Sequence, residues 1–148
     1  MEASSPARLY CLLVGGVLVI AGIIGFFYEA SFDSGDSIKA DEVFGILAVN
    51  GWHNLVHLAI GAVLLLAAGA AARAAALGVG ALYIVLAILG FIATGDGGID
   101  FVAENGVLID LVPVNDEDNW LHVILGLTGL LAGFATRAGA PAGAAPTT

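Results

Sequence analysis

The sequence predicts an all-α integral membrane protein, a four-helix bundle made of two tandem two-helix repeats with both termini on the same side of the bilayer. Three observations predict it. The 148-residue chain is 59% apolar and only 11% charged, with a mean hydropathy of +0.99, far from the balance of a soluble domain. Four apolar stretches, roughly Leu9 to Tyr28, Gly51 to Ala72, Ala74 to Thr94 and Asn119 to Thr136, contain no Lys, Arg, Asp or Glu. Each has about the 20 residues a helix needs to cross the hydrocarbon. Finally, the chain aligns with itself at an offset of 65 positions without a gap, Arg8 falling on Arg73, Gly15 on Gly80 and His57 on His122.

A spanning segment must satisfy its own backbone hydrogen bonds, and none of the four stretches alternates as a barrel strand does, so all four are read as helices. The first follows Arg8 but exceeds a signal-peptide core and precedes no clear small-x-small cleavage site. It is therefore expected to stay as a helix. Its cysteine, Cys11, is the only one in the chain and reads as a small buried hydrophobe. Glycines crowd the helices: Gly15, Gly16, Gly22 and Gly25 in the first, Gly78, Gly80 and Gly90 in the third. They let helices approach closely, as do Gly61, Gly126, Gly129 and Gly133, and Gly129-x-x-x-Gly133 matches a small-residue dimerisation pattern.

The connections after the first and third helices, about 20 residues each, are long for structureless loops. They end in similar apolar pieces, Phe44-Gly45-Ile46-Leu47 and Ile109-Asp110-Leu111-Val112, expected along the membrane interface as short helices, strands or re-entrant turns. These connections hold 12 of the 13 acidic residues, whereas Arg8, Arg73 and Arg137 lie at the opposite helix ends. By the positive-inside tendency the termini and the middle loop are cytoplasmic, in a multi-pass protein of the cell membrane. The acid reads as a solvated surface of the kind found in salt-loving microbes, in preference to a cation-collecting pore mouth. A pI near 4.3 excludes nucleic acid as a partner, since a phosphate backbone would be repelled. Residues 1–137 form one domain, with repeats 8–72 and 73–137. The stretch 138–148 holds only Ala, Gly, Pro and Thr and reads as a flexible cytoplasmic end.

Each repeat carries Asn-x-x-x-Asn-x-x-His-x-x-x-Gly, as Asn50, Asn54, His57 and Gly61 and as Asn115, Asn119, His122 and Gly126. Steps of four, three and four put these residues on one inward stripe of a helix. Asn50 and Asn115 suit N-caps, which sets His57 and His122 about 10 Å deeper. An intramembrane imidazole is by default a functional candidate. The preferred reading is a buried Asn and His network that fixes helix register, with no cofactor. The runner-up is ligation of a haem iron or another metal between His57 and His122, although haem propionates would meet an acidic rim and zinc would need two further ligands. A proton or small-solute path through an oligomer is the third reading, weakened because Leu64, Ala68, Gly129 and Gly133 continue the stripes without polar groups.

His53 aligns with Asp118 and is expected at headgroup level, outside the duplicated site. Trp52 and Trp120 are expected as outer-boundary anchors, with Tyr10 and Tyr28 at the inner and outer boundaries. No P-loop, dinucleotide fingerprint, nucleophile elbow, Cys-x-x-Cys or His-Glu-x-x-His occurs, so no enzyme is expected.

The duplicated Val-Asn-x-x-x-Asn-x-x-His-x-x-x-Gly, with Gly-Phe closing the preceding helix, resembles a family of small four-helix prokaryotic membrane proteins catalogued as domain of unknown function four-three-eight-three. The likeness runs from about Arg8 to Arg137. It departs at Asp116, Glu117 and Asp118, where the first copy has Gly51, Trp52 and His53. The resemblance implies membrane location and topology and lends no activity. The expectation is a structural or accessory bundle in the lipid bilayer, as a homo-oligomer or within a larger membrane complex.

Overall fold

In the computed structural model, residues 5–96, 98–100 and 102–137 are described. The predicted tail, 138–148, lies outside them. Among the described residues four α-helices follow one another, α1 (Pro6–Gly25), α2 (Gly51–Ala67), α3 (Ala72–Thr94) and α4 (Asp116–Ala135). α1 and α3 are long and apolar enough to cross a membrane. α2 ends at Ala67, several residues before the apolar run does, because the chain turns through Gly69 to start α3.

The helix starts follow from local chemistry. Ser5 accepts the Arg8 N–H ahead of Pro6, whose missing N–H is no loss at a first helical position. Asn50 accepts the His53 N–H at 2.9 Å. Asn115 accepts the Asp118 N–H at 2.9 Å while the Asp118 carboxylate accepts the Asn115 N–H at 3.1 Å, a reciprocal capping box. Both asparagine caps stand where the spacing put them.

α1 packs most closely on α2, and α3 on α4. Glycine makes these approaches possible: a Cβ on Gly15 would meet the Gly61 carbonyl at 3.0 Å, and one on Gly80 would meet the Gly126 carbonyl at the same distance. Gly129 faces the Tyr10 ring and Gly133 faces Leu77. The Gly129-x-x-x-Gly133 pattern is thus used within the bundle. Tyr10 is buried against the other helices, donating its hydroxyl to the Leu125 carbonyl at 3.0 Å. The apolar core of Tyr10, Cys11, Leu18, Leu64, Ala76 and Tyr83 fills the bundle away from the long connections.

Those connections are folded straps, which corrects the all-α expectation. The first contains a hairpin of β1 (Asp41–Val43) and β2 (Leu47–Val49), and the second a three-stranded antiparallel sheet of β3 (Ala103–Glu104), β4 (Val107–Leu108) and β5 (Val112–Pro113). Phe44 and Gly45 turn the first strap at positive φ, 55° and 68°, and Ile109 and Asp110 turn the second at 47° and 54°. Two successive residues at positive φ match the twist of the flanking strands. The apolar pieces left undecided by sequence are these turns.

Candidate functional site

The site lies where the straps meet the first turns of α2 and α4. Each capping asparagine also ties one half of the chain to the other. The Asn50 side-chain amide donates to the Leu111 carbonyl at 2.8 Å, and Asn115 donates to the Ile46 carbonyl at 2.6 Å. One turn on, Asn54 donates to the Glu29 carbonyl at 2.9 Å and Asn119 to the Thr94 hydroxyl at 3.3 Å. Each partner of the second half lies 65 positions after its counterpart in the first. A Cβ on Gly25 or Gly90 would overlap the Asn54 or Asn119 side chain. The asparagine amides therefore donate to strap and helix-end backbone or to the Thr94 hydroxyl; among the described residues none bonds an imidazole ring.

The histidines instead gather with one another. His53 and His57, four residues apart on α2, share a helix face with ring centroids 4.4 Å apart. His122 of α4 brings its ring centroid within 6.4 Å of His53. One potential ligand nitrogen from each of the three lies within 4.8 Å of the others. His53 is 2% exposed and His122 5%, which corrects the expectation that His53 stands outside the site. The Nδ1 atoms of all three are buried and make no hydrogen bond among the described residues. The Tyr83 ring packs on His122 at 5.2 Å.

A cavity of about 150 Å³ opens beside the imidazoles, walled by Tyr83, Leu86, Leu89, Leu108 and Val112 among others. An apolar cavity of about this size accepts benzene; a haem macrocycle is far larger. The three imidazoles suit a single ion better than a porphyrin between His57 and His122.

At the position equivalent to His53, Asp118 is 2% exposed. It lies in the first turn of α4, ahead of the apolar span, and its carboxylate accepts the Ala48 N–H at 3.0 Å. His53 sits beside the backbones of Ala48 and Pro113, and Pro113 is Ala48's counterpart in the second half. Proline has no N–H to give a carboxylate, so the side that has a donor carries Asp and the side that lacks one carries His. Burial pushes the Asp118 carboxyl up to about 7, against the pull of the Asn115 and Ala48 N–H groups.

Sequence spacing missed His53 because its counterpart is an aspartate. The signal that could have found it is His53-x-x-x-His57, the i, i+4 spacing that puts two imidazoles on one helix face. Trp52 stacks edge-on against Phe32 at 5.0 Å, and Trp120, largely exposed, against Phe91 at 5.2 Å.

No curated protein and no solved structure matches the chain. The family model described as "Domain of unknown function (DUF4383)" matches residues 8–135. With α2, α3, α4, both straps and all of α1 after Ala7 inside that match, the chain belongs to the DUF4383 family.

Proposed function

We propose that this is a multi-pass membrane protein in which all four helices cross the bilayer, serving as a structural or accessory subunit and not as an enzyme. The observation that carries the membrane reading is an inside-out surface. Leu66 (87% exposed), Phe134 (71%) and Leu131 (67%) point outward, while Asn50, Asn54, Asn119, His53 and His122 are buried. Water would penalise such an exterior, whereas lipid matches it. The arginines near the Pro6, Ala72 and Ala135 helix ends support cytoplasmic termini and the acidic straps an outside location. The paired ties and turns at a constant offset support descent from a duplicated two-helix unit, and the acidic straps suit surroundings rich in salt.

The accessory reading rests on how the polar groups are used. The asparagines tie straps to helices, and beyond the histidines the buried interior is mainly Leu18, Leu64, Ala68, Ala76 and Tyr83, a poor path for a proton or solute. Reporter fusions after Gly69 and after Asn105 test the topology: the first should report the cytoplasm and the second the outside. Crosslinking in native membranes should then trap a second copy or a distinct larger membrane protein. Opposite fusion signals would overturn the orientation, and an uncrosslinked monomer the accessory role. A second reading, ion binding, is favoured by the convergence of three histidines.

A further inference from the structure

We propose that His53, His57 and His122 together bind one first-row transition-metal ion of the class that prefers imidazole nitrogen, zinc or copper foremost, with a fourth coordination position open to the apolar cavity. The donor set is the starting point. Imidazole suits zinc, copper and nickel, while calcium and magnesium want oxygen. The three rings come from two helices, so the site forms only when α2 and α4 are held in register. The reciprocal ties of Asn50 to Leu111 and Asn115 to Ile46 do this a turn away.

Geometry fits with small adjustment. A tetrahedral ion with Zn–N bonds of about 2.0–2.1 Å spaces its nitrogens about 3.4 Å apart. The three ligand atoms lie within 4.8 Å of one another, so side-chain rotations moving each nitrogen by on the order of an ångström would close the site. The alternative, a hydrogen-bonded cluster, lacks its bonds among the described residues: each Nδ1 is buried and unpartnered, the Asn54 and Asn119 NH2 groups donate to Glu29 and Thr94, and their amide oxygens are buried without reaching a ring. A buried polar atom without a partner costs free energy that a metal bond would repay.

The surroundings decide what kind of site this is. Three protein ligands and an open position are the pattern of reactive or exchangeable centres, whereas structural zinc is closed by four. Tyr83, Leu86, Leu108 and Val112, which wall the cavity beside the rings, would exclude bulk water and admit a small ligand. His57 also lines a second cavity of about 240 Å³ beside Val17, Ile20 and Phe44, which gives a route in along the α1 side. With neutral ligands, the ion's charge needs a partner nearby; a buried candidate is Asp118, bonded to the same Ala48 peptide that flanks His53.

The test uses the full chain purified in detergent, stripped with chelator, and titrated with Co²⁺ as a visible probe and with Zn²⁺ in competition. One equivalent of Co²⁺ should give the intense visible bands of a four-coordinate nitrogen site, and Zn²⁺ should displace it. His53→Gln, His57→Gln and His122→Gln, each checked for monodispersity and helical content, should each weaken binding more than tenfold, since loss even of outer-shell partners costs 10–100-fold. X-ray absorption of the zinc-loaded wild-type chain should show imidazole scattering from three rings, a readout that needs no variant to fold. Failure of the stripped, monodisperse protein to take up an equivalent of Co²⁺ or Zn²⁺ would overturn the proposal. So would full binding by the His53 variant, or a first shell made only of oxygen, which would place the ion on the acidic straps.

Discussion

Asn50 donates its side-chain amide to the carbonyl of Leu111, 2.8 Å away in the opposite half of the chain, and the same side chain accepts the His53 N–H that starts α2. One residue thus caps a helix and fastens the second strap over it. Asn115 does the same for α4 and the first strap through Ile46.

The two duties can be separated by substitution. Asn50→Asp keeps a capping oxygen and loses the amide donor; Asn50→Ala loses both. A cap contributes about 1 kcal/mol and a net hydrogen bond about 0.5–1.5 kcal/mol. Asn50→Ala and Asn115→Ala should each cost about 2 kcal/mol, and Asn50→Asp should also destabilise, because it sets a carboxylate against the Leu111 carbonyl. Denaturant unfolding in detergent measures these losses. Equal stability of wild type and Asn50→Ala would mean that the strap is not held this way.

Glycines along α1 and α3 divide into those that touch a neighbour and those that do not. A Cβ on Gly25 or Gly90 would overlap an asparagine amide, whereas Gly16 and Gly78 have nothing within 4 Å. Gly25→Ala and Gly90→Ala should lower the melting temperature clearly, since Asn54 or Asn119 must leave its place. Gly16→Ala and Gly78→Ala should be neutral or gain up to about 1 kcal/mol from helix propensity. A thermal-shift series in detergent checks the split.

Much of this arrangement was legible in the sequence. Four apolar runs marked the helices, and the caps followed from Asn50 and Asn115; the ties of these asparagines to the straps were not anticipated. The strap strands were not legible, because β3, β4 and β5 have two residues each, too few to show alternation. The histidine site was half legible: repeat spacing chose His57 and His122 and set His53 aside. Spacing along one helix gives a shared face, but not which side chains of a second helix meet it. Nor does it show that Asn54 and Asn119 turn to Glu29 and Thr94 in place of the imidazoles.

Cys11 offers a check on the packing of α1. It is fully buried, its thiol 3.6 Å from the Ala72 carbonyl, where a reagent can reach it only after the helix leaves the bundle. Maleimide labelling of the native protein in mild detergent should be negligible over the time that fully labels it in denaturing detergent. Fast native labelling would show that α1 does not sit against the start of α3.

Asp118 makes stability depend on pH, with a sign opposite to that of a paired surface carboxylate. Its folded-state pKa is raised to about 7 by burial, with Glu117 and Glu42 adding repulsion, while in the unfolded chain it returns to about 3.9. Between about pH 4 and pH 7 the folded protein therefore holds a proton that the unfolded chain has released. Stability should fall as pH rises through that window, by at most about 1.4 kcal/mol per pH unit, and level off above it. Asn at 118 can still accept the two N–H groups now bonded to a single carboxylate oxygen and cannot ionise. Melting temperatures of Asp118→Asn, measured from pH 4.5 to 8 with chelator present to keep metal out, should be flatter with pH than those of wild type and higher at pH 8. Parallel profiles would mean that Asp118 reaches water and titrates as an ordinary carboxylate.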